Sequence, residues 1–184
     1  MIKFYFEDIT VELFDDPAFV IGSDNGSAYT RYYPSSDPVD LMGSQHGIRL
    51  YRGDIELNSC LLHSLAGTRI HATSALLDGK TLLVCCGYSL FSLELPTLDL
   101  NWQIQVDLAA CFQVHKIHDG YLTHGEVEIS KTNKQGELEW SFSGADIFVT
   151  PDGSRSFSIS DEHIELIDWN YHKYIIDFNG EVVT

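Results

Sequence analysis

The sequence predicts an all-β chain assembled from repeated small sheets, on three observations. Asp-Gly dipeptides begin at Asp78, Asp119 and Asp152, and large aromatics follow at Trp102, Trp140 and Tyr174, at offsets of 24, 21 and 22 residues. Regular spacing of this kind marks repeated supersecondary units, each needing its neighbours to bury an apolar face. Strand-like alternation runs through most of the chain, and no long amphipathic helix interrupts it. Asp-Gly suits a tight hairpin because glycine accepts positive φ and aspartate bonds its own backbone. The 184 residues fit a single domain with its own core. Within it the repeats are expected at about residues 76–117, 118–150 and 151–184.

Taken in order, Ile2 to Phe6 reads as a short strand continued by Thr10 to Phe14. Phe19 to Gly22 and Ala28 to Tyr32 read as a hairpin across Ser23-Asp24-Asn25-Gly26. Tyr33 to Asp40, with Pro34 and Pro38, is the most loop-like stretch. Ile48 to Tyr51 and Ile55 to Leu57 alternate around Gly53-Asp54, while Ser59 to Leu65 fits a strand or a helical turn equally well. Arg69 to Leu77 is extended.

Thr81 to Cys86 is apolar on both faces, the mark of an inner strand, and Leu90 to Leu95 pairs with it. Trp102, Ile104 and Val106 then oppose Gln103, Gln105 and Asp107 in half-buried alternation. The second copy repeats this. Tyr121 to Lys131 reads as one strand, Thr132 to Gly136 as a turn, and Leu138, Trp140 and Phe142 as a buried row. In the third copy Ser156 to Ser160 and Ile164 to Ile167 are strands, Asp168 to Tyr171 turns, and Tyr174, Ile176 and Phe178 form the aromatic row.

Gln135-Gly136-Glu137-Leu138-Glu139-Trp140 resembles the blade-closing segment of quinoprotein-like (PQQ-type) β-propeller repeats, in which a glycine precedes a tryptophan by four positions. In the other copies that position falls on Leu98 and Asn170. The resemblance covers roughly the last 110 residues and implies a propeller-like stack of antiparallel four-stranded sheets. At about 40 residues per blade the chain holds four to five units, the small end for a closed ring, with an open or partial propeller as the alternative. The calcium and cofactor ligands of the quinone-dependent enzymes have no match here, so the reading carries no cofactor and no enzymatic activity.

Composition narrows the function further. Eleven basic against 27 acidic residues give a formal net charge of −16. That argues against nucleic acid and anionic membrane surfaces and favours a basic protein partner. Met1 to Asp8 does not read as a secretory signal, and no apolar run is long enough to span a membrane, so a cytoplasmic protein is expected. Of the four cysteines, Cys85 and Cys86 are adjacent on a strand and must point to opposite faces. With no Cys-x-x-Cys spacing, all four read as buried reduced thiols. By profile alone the chain also resembles small acidic bacterial toxin-immunity proteins.

Three candidate sites follow. Glu126, Glu128, Glu137 and Glu139 are expected on an acidic partner-binding face. His124, Glu126 and Glu128, read as one strand face near His115 and His118, are weak candidates for a divalent metal, against a solvated face as the plain reading. Asp161, Glu162 and His163 read as a polar hairpin tip. No Gly-x-Ser-x-Gly elbow is present, Gly22 to Gly26 is not a phosphate loop, and the apolar settings of the cysteines oppose thiolate formation. The reading is a non-catalytic protein-binding module sequestering a basic partner such as a toxin. Its alternatives are a metal-dependent hydrolase on a propeller-like scaffold, and a blade-like fragment that needs further copies of itself to cover its sheet edges.

Overall fold

The computed structural model describes residues 1–19, 28–35 and 43–183. Among the described residues, sixteen strands fall into four sheets. The first joins β1 (Ile2–Phe6), β2 (Ile9–Asp15), β4 (Ser44–Arg52) and β5 (Ile55–Ser64) antiparallel, and adds β3 (Arg31–Pro34) parallel to β5. The second runs β6 (Ala75–Asp78), β7 (Thr81–Cys86), β8 (Ser89–Glu94), β9 (Asp99–Gln105). The third runs β10 (Cys111–Lys116), β11 (Gly120–Gly125), β12 (Glu128–Asn133), β13 (Leu138–Ser143). The fourth has β14 (Phe157–Ile159), β15 (Ile164–Ile167) and β16 (Lys173–Ile176), extended by a bridge from Ile176 to Val182.

The sheets stack face to face, and three apolar clusters fill the three gaps. β7 shows why its sequence is apolar on both faces. Leu82, Val84 and Cys86 point to the first sheet, where they meet Val11, Leu13, Ile48 and Leu62. Leu83 and Cys85 point the other way, to Cys111, Val114 and Tyr121 of the third sheet. Between the third and fourth sheets Leu122 and Ile129 meet Phe157, Ile164, Leu166 and Ile176. A fully buried leucine contributes roughly 2 kcal/mol. Exposed ion pairs such as Arg52–Asp8 contribute about 0–1 kcal/mol each, so the clusters hold the stack.

Each sheet is also latched to the next by a polar side chain seated on a turn. Trp102 on β9 donates its indole N–H to the Lys134 carbonyl, in the turn between β12 and β13, at 3.1 Å. Trp140 on β13 does the same to Phe178, in the turn after β16, at 3.1 Å. Between the first and second sheets the Tyr33 hydroxyl donates to the Leu98 carbonyl at 2.9 Å, and Arg31 pairs with Asp99 at 3.0 Å. The receiving turns match: Leu98, Gly136 and Gly180 all have positive φ, at 56°, 83° and 81°. The indole rings of Trp102 and Trp140 occupy the space a Cβ would take on Gly136 and Gly180.

Several expectations change. The third repeat was read one strand out of register. Asp152-Gly153 is a tight loop before β14, with Ser154 N–H bonded to Asp152, and the first hairpin of the fourth sheet turns at Ser160 to His163 instead. Tyr174 lies on the third strand of its sheet, whereas Trp102 and Trp140 lie on the fourth. The counterpart of Gly136 is therefore Gly180 rather than Asn170. The sheets span 75–105, 111–143 and 157–182, not the repeat boundaries read from the sequence. Tyr121 to Lys131 is two strands, β11 and β12, separated by a turn at Gly125 to Val127. Ser59 to Leu65 lies mostly in β5, and Tyr33 and Pro34 end β3 rather than starting a loop. Most of the hairpin expected at Phe19 to Tyr32, and residues 36–40, lie outside the described residues.

Gly136→Ala and Gly153→Ala separate the latch from plain backbone strain. Both glycines have positive φ, but Gly153 has open space around it and Gly136 has the Trp102 ring. Urea unfolding should show a loss of about 1–2 kcal/mol for Gly153→Ala from conformation alone, and a clearly larger one for Gly136→Ala. Equal losses would contradict the latch.

Candidate functional site

Antiparallel order and the latches place the turns at two ends of the stack. The turns after the first and third strands of each sheet gather at one end, because each latch sets such a turn against its neighbour. The second-to-third-strand turns and the connections between sheets gather at the other.

At the first end the third and fourth sheets frame a cleft of about 530 Å³, lined by Lys116, Ile117, Asp119, Lys131, Ile159, Asp161 and Phe178. Lys131 forms its floor, with a side chain only 9% exposed. Its ammonium bridges Asp119 at 2.8 Å and Glu139 at 2.9 Å. Burial alone would lower the Lys131 pKa, and the two carboxylates outweigh it and raise it. The same bond holds Asp119 below the usual carboxylate range. Next to it Lys116 pairs with Asp78 at 2.6 Å and keeps that carboxyl low. Glu137 is exposed beside the turn and accepts from Asn133 Nδ2 at 2.6 Å. Asp161 and Glu162 are exposed at the hairpin tip opposite.

The four glutamates read as one acidic face are divided between the two ends. Glu139 reaches the cleft through Lys131, and Glu137 is exposed in the β12–β13 turn of the same end. Glu126 lies in the Gly125–Val127 turn, and Glu128 opens β12 at the far end, three to four residues along the strand from the level of Glu139, where it accepts from Ser141 Oγ at 3.1 Å.

The proposed metal trio does not assemble either, because the chain turns between His124 and Glu128. His124 is buried, stacked on Phe157 with centroids 4.7 Å apart and planes at 5°. Its Nε2 lies 3.1 Å from the Phe148 carbonyl. His115 rests on the other part of the same ring at 5.2 Å, its Nε2 bonded to Gln113 at 3.0 Å. Burial pushes the pKa of both histidines down, His124 to about 4. These are core imidazoles of the third–fourth sheet interface. Among the described residues no three His, Cys, Asp or Glu side chains are grouped to hold a metal ion. Burial pushes the Cys60, Cys86 and Cys111 thiols up, away from a nucleophilic thiolate.

Sequence reasoning missed two buried carboxylates that build the opposite end. Asp107 accepts the N–H groups of Ala109, Ala110, Val127 and Glu128 at 2.6 to 3.0 Å, tying the second-to-third-sheet connection to the β11–β12 turn. Asp168 accepts from the N–H groups of Asn170 and His172 and from the Tyr174 hydroxyl at 2.8 Å. Burial raises the Asp168 pKa, and these bonds outweigh it and hold the carboxyl low. Their signal was an aspartate just past a strand, placed to accept the N–H two residues on in an Asx-turn.

Neither a protein-family model nor a curated protein matches the chain. Among solved structures it is similar to BamB from Moraxella catarrhalis, a PQQ-like β-propeller, at 11% identity and a TM-score of 0.51. The match covers 83% of this chain and 46% of that one. The fold is propeller-type. A second similar structure, the AfRom2 CNH domain, aligns over 78% of this chain and 47% of its own at 13% identity, with a TM-score of 0.45. The chain thus spans about half the length of either structure.

His124 gives the acid response a defined sign. It is neutral in the fold, and the unfolded chain takes up its proton as pH falls through the ordinary value of 6.5. Stability is therefore complete above that value and falls until pH reaches about 4, a loss of about 3 kcal/mol from this group. Melting temperatures from pH 7 to 4 should fall less steeply in His124→Phe. Some slope should remain, because burial also lowers His46 and His115. An unchanged slope would contradict the buried neutral imidazole.

Proposed function

We propose that the chain is a non-catalytic protein-binding module, and that it takes a basic partner at the end carrying the cleft. The observation that supports this is the set of carboxylates at that end: Asp119 and Asp161 line the cleft, Glu139 pairs with its floor lysine, and Glu137 and Glu162 are exposed on turns of the same end, on a chain of net charge −16. Rigid antiparallel sheets hold these carboxylates in place before binding, which reduces the ordering cost of association. Their field attracts a cationic surface from a distance and raises the encounter rate. A bacterial toxin with a basic surface is a partner of the right chemistry, which would make this an immunity protein of the cytoplasm.

The test is association kinetics with basic proteins encoded beside this one, measured from low to high salt. The association rate constant should fall steeply as salt rises. Reversing Glu137 and Glu139 to lysine should slow association at least several-fold. Reversing Glu126 and Glu128, at the other end, should change it much less. Binding indifferent to salt, or more sensitive to Glu126 and Glu128, would overturn the proposal.

A further inference from the structure

Two of the four thiols are held together across a sheet interface by the main chain. Cys85 is on β7 of the second sheet and Cys111 opens β10 of the third. The Cys111 N–H donates to the Gly87 carbonyl at 2.7 Å, the Cys85 N–H to Ser74 at 2.8 Å, and the Val114 N–H to Thr73 at 3.0 Å. These bonds fix β10 against the β6–β7 edge of the second sheet. The two sulfur atoms then lie 2.8 Å apart, both buried, at 1% and 0% exposure. That is closer than unbonded sulfurs rest, and small side-chain rotations bring them to bonding distance. Cys86 cannot compete: alternation turns it to the first interface, where its sulfur lies 3.5 Å from the Ser44 carbonyl.

We propose that Cys85 and Cys111 are a disulfide-forming pair that covalently joins the second and third sheets, closed by exchange with a small-molecule disulfide such as oxidised glutathione. One cysteine loses its proton and attacks a glutathione sulfur, forming a mixed disulfide and releasing one glutathione thiolate. The other cysteine, also deprotonated, then attacks the protein sulfur of that mixed disulfide and releases the second glutathione. The two cysteines are oxidised by two electrons, and one oxidised glutathione becomes two reduced ones. Burial closes the pair to solvent in the finished fold, so the exchange takes place while the chain folds or opens. The bond then restricts the unfolded chain and stabilises the stack. This inference is independent of the partner proposed above, and the bond closes only in oxidising surroundings, the pair staying reduced in a reducing cytoplasm.

The experiment is to refold the urea-unfolded full chain in a glutathione redox buffer, trap free thiols by alkylation, and cleave before aspartate. Cys85 and Cys86 then fall in segment 78–98 and Cys111 in segment 107–118. The expected result is one species joining the two segments, carrying one alkyl group on Cys86, lighter by two hydrogens than the sum of the segments so alkylated, and separated by dithiothreitol. Cys86→Ser should keep the bridge and Cys85→Ser should lose it, and the oxidised protein should melt several degrees above the reduced one. Circular dichroism checks that each variant folds, with Cys85→Ala as the second form. Full alkylation of both segments in the refolded protein, or a bridge that persists without Cys85, would overturn the proposal.

Discussion

The structure depends on one recurring contact: a side chain from the outer part of one sheet donates a hydrogen bond to a left-handed turn of the next. Trp102 on Lys134, Trp140 on Phe178 and Tyr33 on Leu98 are three instances. The turn must leave room for a ring, which explains glycine at 136 and 180. It must also expose a carbonyl beside a positive-φ residue: Leu98 itself, or Gly136 and Gly180 two positions after Lys134 and Phe178. Apolar clusters supply most of the energy, but they would tolerate sheets sliding past each other. The latches fix the register between sheets, and with it which turns meet at which end.

Register is what links the fold to its proposed role. Because turns of the same kind align, carboxylates on separate strands converge around one cleft, and Lys131 bridges two of them at its floor. The other end is built differently. Asp107 and Asp168 are buried there: Asp107 accepts backbone N–H groups with both oxygens, and Asp168 accepts backbone N–H groups with one and the Tyr174 hydroxyl with the other. The same residue type thus serves as exposed charge at one end and as structural cap at the other. Net charge alone does not distinguish the two.

Much of this was legible in the sequence, for physical reasons that also set the limits. Thr81 to Cys86 is apolar on both faces because its sheet lies between two others, and the opposite orientations of Cys85 and Cys86 follow from strand geometry. Gly136 and Trp140 both take part in latches, but in two different ones: Gly136 receives Trp102, and Trp140 seats against Gly180. The third repeat was misplaced because a second Asp-Gly, at 152, stands in a connecting loop, while the true counterpart, Gly180, precedes a position outside the described residues. Tyr174 kept the aromatic spacing for a different reason: its hydroxyl caps Asp168. The His124–Glu128 trio failed because Val127 and Ile129 continue a two-residue alternation through a turn that alternation cannot reveal. The parallel pairing of β3 with β5 leaves no local trace, since both partners read as ordinary strands.

The most direct test of the latched stack is amide hydrogen exchange on Trp140→Ala. If each sheet is held mainly through its neighbours, removing this latch should loosen the third–fourth interface alone. Protection should then fall most in β14–β16 and persist in β7 and β8. A uniform loss across all four sheets, or protection lost first in β2 and β4, would contradict it.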